Sequence, residues 1–446
     1  MPNQAQKRRK LNCFEKAALL SALIVFMTVV PYTGYIRFGT IEITTLHIVV
    51  AVGAALLGWK GGAWLGFVWG AACFLRAFFP ALQSSLVSPL AALVPRVAAG
   101  AAAGLAAHWL RKAGYHPPAA GALAAAAASA IHTLLVLSAM KLFFPAFGEG
   151  SQPERVEVVR ICLSGVIELA AAVAIVPLAL NVFRSREVVL GVDLGASVTK
   201  LALVKNGRCL RAIHKGAEET LEEAVARLDA SEAARAAVTG VGAASFKGDV
   251  LNLPTRRVDE FAALSRGASR SAKKRNCLVV SIGTGTSFLR VTPFRFRRVG
   301  GTGLGGGMLQ GLAERLCGVE DMQKFCAMAQ QGDLSRVDLQ LRDVCAGEIP
   351  GLTPATTVAN LRKAGGGARG EDLAAGLCNM VFEGVGVMAA LAANKCLTHT
   401  VVLVGTIAQW PVAKHSLDGV ASLHRVRFLV PEYAPFATAI GAAMAD

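Results

Sequence analysis

Six long apolar runs with almost no internal charge fill the first part of this chain, at residues 14–33, 42–59, 62–79, 86–108, 117–140 and 157–182. A helix that spans a bilayer needs about 20 apolar residues, so the pattern predicts six transmembrane helices. The second and third runs are short, which leaves room for tilt or for a different boundary. Beyond them the pattern changes. Short apolar stretches at Val188–Leu190, Cys277–Ser281 and Thr400–Val404 each run into a glycine-containing turn, the mark of buried strands. The expected division is a membrane domain over 1–185 and an α/β domain over 186–446.

Composition supports the division: 54% of residues are hydrophobic, too apolar for a purely soluble protein. The net charge of +16 raises the question of nucleic acid. Up to Val188 there are 16 Lys and Arg against 7 acids, and after it 30 against 23. The first excess clusters between the apolar runs. A cytoplasmic N-terminus puts Lys7, Arg8, Arg9, Lys10, Lys60, Arg111, Lys112, Arg184 and Arg186 inside and leaves few basic residues, such as Arg37, Lys141 and Arg155, outside. That is the positive-inside bias. It predicts a multi-pass cell-membrane protein with both termini and the α/β domain in the cytoplasm. The second excess is spread out, with one run at Lys273–Arg275 and no aromatic-interleaved basic patch, which argues against nucleic acid. Ten scattered cysteines without C-x-x-C spacing argue against a zinc site or a disulfide framework. No small-residue cleavage site precedes Pro31, which argues against a removed signal peptide.

Arg96, His132 and Glu168 fall inside apolar runs, where a mid-helix Arg costs on the order of 2.5–3.5 kcal/mol. They are expected to face the bundle interior, as contacts to a transported ligand or as a structural ion pair. Arg76, nearer a helix end, reads as snorkelling. Ala18 and Ala22 form a small-x-x-x-small face that permits close helix approach.

The α/β part carries the chemistry. Val188–Leu190 leads into Gly191-Val-Asp193-Leu-Gly195, a strand, an acid and a tight turn that suit a nucleotide-phosphate site. Asp193 can hold Mg²⁺ directly or through water, and Gly195, Ala196, Ser197, Val198, Thr199 and Lys200 supply amides, hydroxyls and a positive charge. A second strand ends in Ile282-Gly-Thr284-Gly285-Thr-Ser287. A glycine run from Gly300 to Gly307 then enters Met308, Leu309 and Gln310, a loop-to-helix entry that attracts anions. The third strand, ending at Gly405 and Thr406, and the terminal Ala439-Ile-Gly441-Ala-Ala are expected to floor the adenosine.

Strand–loop repeats of this kind match the two-lobed fold of actin, sugar kinases and heat-shock ATPases. Within it, residues 188–446 resemble type II pantothenate kinase, through Ile282–Ser287, through Arg298-Val-Gly-Gly-Thr-Gly-Leu-Gly-Gly-Gly-Met308, and through Leu251–Pro254 followed by Asp259-Glu260-Phe261 and Ser265. The resemblance implies Glu260 as general base and assigns Arg298 and Thr284 to substrate and phosphate contacts. It assigns Gly306 to Gln310 to the ATP phosphates and places Thr406 and Met322 near the nucleotide. Asp259 is the rival base if the register slips by one. The first loop departs from the family's usual Gly-Thr at Ala196-Ser197, and Gln331-Gly-Asp333 stands where His-Gly-Asp is often seen.

Residues 12–183 resemble the substrate-binding (S) component of energy-coupling-factor vitamin transporters, through Pro31–Gly39, Thr44–Ile48, Gly58–Gly62 and Ser88–Arg96. His132 stands where that family would carry Asn. The resemblance implies docking of Ala18 and Ala22 on a shared transmembrane coupling subunit that works with two ATPase subunits. The fusion implies a bifunctional protein in the lipid bilayer that takes up pantothenate and phosphorylates it with ATP and Mg²⁺, as a homodimer through the kinase half. The rivals are an amino-sugar kinase, a nucleotide-dependent sensor that gates the transporter, and a membrane half that is only an anchor.

Overall fold

A computed structural model describes residues 13–38, 41–76, 78, 89–143, 152–182, 187–347, 349–365 and 367–445. The basic stretch Lys7–Lys10, Ser88, Arg184, Arg186 and the junction between 185 and 186 lie outside the described residues. Two compact units make up the chain, Met1–Arg184 and Ser185–Asp446.

The first unit is built from helices α1 (Cys13–Val29), α2 (Leu46–Arg76), α3 (Pro89–Lys112), α4 (Pro117–Phe143) and α5 (Gln152–Val182). It adds one feature to the helical expectation. Strands β1 (Tyr35–Phe38) and β2 (Ile41–Thr44) pair antiparallel between α1 and α2. Tyr-Ile-Arg-Phe and Ile-Glu-Ile-Thr have the two-residue alternation of a hairpin, which is why the second apolar run becomes helical only at Leu46. The second and third runs form one helix broken at Gly58, whose backbone (φ 78, ψ −173) leaves the helical region. Gly66 and Gly70 lie against the α3 backbone, where a methyl on Gly70 would sit 2.9 Å from the Cα of Leu93. Small residues let the two helices approach this closely, as they do where lipid removes the hydrophobic drive. Within this unit Leu46–Arg76, Pro117–Ala139 and Val158–Leu180 are long and apolar enough to cross a membrane.

The second unit has two lobes, each with a five-stranded sheet of one pattern. In the first, β3 (Val188–Leu194), β4 (Thr199–Lys205) and β5 (Arg208–His214) form a meander, and β6 (Arg235–Thr239) and β7 (Thr255–Arg257) add in parallel on the other side of β3. In the second, β8 (Cys277–Ile282), β9 (Thr286–Val291) and β10 (Phe296–Thr302) repeat the meander, with β13 (Thr400–Val404) and β14 (Arg427–Leu429) parallel beyond β8. The orders β5-β4-β3-β6-β7 and β10-β9-β8-β13-β14 are the same arrangement twice. This duplicated topology is the actin-like, sugar-kinase architecture.

Alternation along each buried strand gives each sheet two apolar faces. Helix α6 (Leu221–Leu228) covers one face of the first sheet, and α13 (Ala437–Ala443) covers the other. On the second sheet, Leu278, Val280, Ile282 and Leu403 pack under α8 (Gly306–Leu312), α9 (Met322–Gln331), α11 (Gly370–Lys395) and α12 (Pro411–His424). Val279, Val402 and Val404 face the opposite side, against α7 (Glu260–Ser271). A small pair, β11 (Leu339–Gln340) and β12 (Thr357–Ala359), flanks α10 (Leu341–Val344). Helix α11 also has the length and hydropathy of a membrane span, but its Leu377, Val381, Phe382 and Val385 are the lobe's own core. Helices α7 and α13 cross between the sheets at Gly267 and Gly441, each against the other helix's backbone.

Candidate active site

The cleft between the lobes of the second unit encloses about 750 Å³. Three backbone turns meet in it, each a strand end. The β3–β4 turn brings Gly195, Ala196, Ser197 and Val198; the β8–β9 turn brings Gly283, Thr284 and Gly285; the stretch after β10 brings Gly303, Gly306 and Gly307. The Ser197 and Thr284 hydroxyls bond at 2.9 Å, joining the first two turns. The second and third turns dock backbone to backbone: Gly306 N donates to Gly283 O at 2.7 Å and Gly307 N to Thr284 O at 2.9 Å. A side chain at Gly305 would meet the Thr284 carbonyl at 2.8 Å, which explains a glycine there. This corrects part of the expected anion site. Helix α8 is seven residues long, and its first two amides are already taken.

Asp193, next to last in β3, is almost fully buried in this cleft, with 8% exposure. Its neighbour across the β3–β4 pair is Lys200. Burial pushes the Asp193 carboxyl up to about 6; Lys200 opposes the rise and Glu260 adds to it. Burial lowers the Lys200 ammonium, against the pull of Asp193. Among the described residues no group of three His, Cys, Asp or Glu side chains could hold a metal. One buried carboxylate facing a phosphate site fits Mg²⁺, which binds through one or two carboxylates, phosphate oxygens and waters.

Glu260 is the first residue of α7, half-buried at the cleft, and Asp259 before it is the N-cap, accepting from Ala262 N at 2.8 Å. The cap role occupies Asp259 and leaves the Glu260 carboxylate toward the cleft. Burial, and secondarily Asp259, raise the Glu260 pKa. Arg298, beside a bulge in β10, stands 5.6 Å over the Phe261 ring, and among the described residues no acid lies within ion-pair distance of it.

Of the other expected residues, Gln310, Met322, Gly405 and Thr406 line the cleft; Thr199, Met308 and Leu309 do not. Leu309 is core, Met308 is partly exposed, and Thr199 belongs to the β4 pairing. Ala196 takes its place without positive φ, so the departure from glycine brings no backbone strain. Gly405 has φ +111 and sits on the Ile282 backbone, holding the ends of β13 and β8 together. The terminal Ala439-Ile-Gly441 segment does not floor the cleft; it is buried against β3 and α7. Sequence reasoning missed two apolar walls. Ile407 and Trp410, with Met322, belong to the core on one face of the second sheet, and Phe261, Leu264 and Ala434 to the core on the other.

In the first unit, Arg96, His132 and Glu168 are buried, and His132 and Glu168 both lie within electrostatic reach of Arg96. His47 and Trp69 join them: the His47 ring bonds the Glu168 carbonyl at 3.0 Å, and Trp69 stacks on His132 at 4.9 Å and under the Arg96 guanidinium at 4.9 Å. Ala18 and Ala22 lie on the exposed face of α1, opposite buried Leu20 and Ile24. Arg76 packs over the Tyr35 ring at 4.1 Å.

Residues 15–181 match the family model for the substrate-specific component of ECF transporters, and residues 270–445 match the Fumble model. Type II pantothenate kinase of Oceanobacillus iheyensis is 31% identical over 228 residues, covering 48% of this chain and 83% of the relative. The Staphylococcus aureus enzyme of the same name is 28% identical over 225 residues, with the same coverage. Among solved structures, the activator of 2-hydroxyisocaproyl-CoA dehydratase from Clostridium difficile is similar with TM-score 0.40, 17% identity and coverage of 58% of this chain and 93% of its own. The ROK hexokinase of Thermus thermophilus gives TM-score 0.36, 16% identity and coverage of 58% and 97%. The enzyme class is ATP-dependent pantothenate kinase, with ATP and Mg²⁺ as cofactors, attached to a membrane protein. Its second unit makes the chain a member of the type II pantothenate kinase family, fused behind an energy-coupling-factor substrate-binding component.

Proposed function

We propose that the chain couples uptake of pantothenate to its phosphorylation. The observation that carries the catalytic part is the placement of two uncommitted charged groups, Glu260 and Arg298, in one cleft with three glycine-rich turns. Asp193 would hold Mg²⁺, which neutralises phosphate charge when bound. The β3–β4 turn and the Thr284 turn would hold the ATP phosphates, and the wall of Met322, Ile407 and Trp410 the base. Glu260 accepts the proton of the acceptor hydroxyl as that oxygen bonds to the γ-phosphorus. The bond from phosphorus to the bridging oxygen breaks and ADP leaves. Arg298 pairs with acceptor carboxylate or transferring phosphate. Such transfer depends mainly on positioning and charge neutralisation.

The membrane unit would bring pantothenate in, with six spans, both ends cytoplasmic, and Ala18 and Ala22 docking on a coupling subunit served by two ATPases. The kinase halves would pair as a homodimer. The added phosphate carries about −1.5 to −2 charge at neutral pH, so product cannot leave by an apolar route. The test is a panel of acceptors with MgATP and the full chain in nanodiscs, beside radiolabelled uptake in cells that supply the coupling module. Phosphorylation of N-acetylglucosamine but not pantothenate overturns the kinase assignment. Phosphorylation without chain-dependent uptake reduces the membrane unit to an anchor.

A further inference from the structure

The end of the second sheet away from the cleft gathers positive charge. Strands β8, β13 and β14 run parallel and start there, and the β9–β10 turn closes the same end, since Cys277 pairs with Val291 and Val291 with Phe296. The other end, with Ile282, Thr302 and Gly405, lines the cleft. At about 3.3 Å per residue the two ends are roughly 15–20 Å apart. In strand order the far end carries Phe294 in the β9–β10 turn, Lys273, Lys274 and Arg275 before β8, Leu397 before β13, and Arg427 at the start of β14.

All six are exposed, Phe294 by 65% and Leu397 by 89%. Residues 261–313 hold nine Lys and Arg and no acid, and no acid lies between Glu383 and Asp418 or between Asp418 and Glu432. Among the described residues none of the four cations has a carboxylate within ion-pair distance. An excess that is diffuse along the sequence is thus concentrated by the fold on one edge.

The apolar residues decide the partner. A nucleic-acid surface uses aromatic rings to stack bases along a groove, whereas Phe294 and Leu397 project from separate loops on either side of Lys273–Arg275. Cations interleaved with isolated apolar tips suit the boundary between anionic headgroups and acyl chains. The chain carries a membrane unit of its own. Five residues, 183–187, separate α5 from β3, so even a weak attraction acts at high effective concentration.

We propose that this edge of the kinase unit docks on anionic lipid, with Phe294 and Leu397 entering the interface and Lys273, Lys274, Arg275 and Arg427 pairing with headgroup phosphates. The inference rests on the first unit's place in a membrane and on nothing about what either unit binds. A sheet docked by this end holds its cleft end away from the lipid, open to nucleotide from the water.

Hydrogen exchange of the full chain in nanodiscs tests this, with phosphatidylcholine compared against an equal mixture of phosphatidylcholine and phosphatidylglycerol. Each Lys or Arg near an anionic surface strengthens docking about fivefold. Peptides covering 272–276, 292–296 and 396–399 should therefore exchange at least about fivefold more slowly in the anionic discs, while peptides of the cleft turns do not change. Molar salt, which cuts the screening length to about 3 Å, should remove the difference. Lys273→Ala, Lys274→Ala and Arg275→Ala together should lower the docked-to-free ratio on the order of 100-fold. Phe294→Ser with Leu397→Ser should weaken docking with every cation kept. Kinase kcat in detergent should be unchanged in both sets, which verifies that they fold. Equal exchange in the two kinds of disc, or a difference that survives both the salt and the triple variant, overturns the proposal. Protection by an RNA oligonucleotide in neutral discs, with none from anionic lipid, assigns the edge to nucleic acid instead.

Discussion

Replacing Asp193 by Asn should stabilise the empty kinase unit while destroying its use of MgATP. The Asp193 carboxyl is pushed from 3.8 up to about 6, chiefly by burial and further by Glu260, net of the attraction of Lys200. The folded state thus holds this proton more tightly than the unfolded chain does. Its contribution to stability is present below the ordinary carboxylate range and is lost as pH rises to about 6. At about 1.36 kcal/mol per pKa unit, the ionised side chain destabilises the ligand-free unit at pH 7 by on the order of 3 kcal/mol. Asn removes the charge and restores most of that. Hydrogen exchange of the β3 and β8 amides in the full chain reads this unit's opening separately from the membrane unit. Without nucleotide, Asp193→Asn should slow exchange at pH 7 and make no difference near pH 4. With MgATP, wild type should gain protection by linkage and the variant should gain almost none. Faster exchange in the ligand-free variant would refute the reasoning, because Asp193 would then be a net structural partner of Lys200.

Four further outcomes follow from the cleft. Glu260→Gln should lower kcat by about 10²–10⁴-fold with nucleotide binding kept, whereas Asp259→Ala should cost about 1 kcal/mol of stability by loss of the cap and leave kcat within a few-fold. Because the Glu260 pKa is raised, the acid limb of the wild-type kcat profile should lie above the ordinary glutamate range and vanish in Glu260→Gln. Gly240 has φ +91, and a methyl there would sit 2.6 Å from Asp193 Oδ1, so Gly240→Ala should raise the KM for MgATP at least about tenfold, the effect of displacing one carboxylate by about 1.4 kcal/mol. Trp410→Ala should raise the KM for ATP and spare that for pantothenate, while Phe261→Ala does the reverse; initial rates with each substrate varied would detect a swap.

The turns were legible in the sequence because phosphate loops are local: strand, glycine, hydroxyl. What those glycines do was only half legible. Gly305, Gly306 and Gly307 serve loop-to-loop docking as much as any anion, a fact of tertiary contact that no run of glycines states. Glu260 came from family likeness, and its separation from Asp259 came from cap geometry. Trp410, Ile407 and Leu264 carried no signal, since a core residue whose far side faces a ligand looks like any other core residue. In the membrane unit, charge inside apolar runs marked Arg96, His132 and Glu168. His47 passed unnoticed because a histidine in a helix is ordinary until its partners are counted. Gly58 hid a helix break inside what read as two spans.

The wall of Met322, Ile407 and Trp410, proposed above for the base, and the wall of Phe261, Leu264 and Ala434, which we propose faces the acceptor, belong to opposite faces of the second sheet, with the phosphate turns at its rim. Neither substrate then lies across the other's exit. Addition need follow no compulsory order, and a dead-end analogue of either substrate should inhibit competitively against its own substrate and noncompetitively, never uncompetitively, against the other. A vitamin that arrives one molecule at a time could thus find the nucleotide already seated.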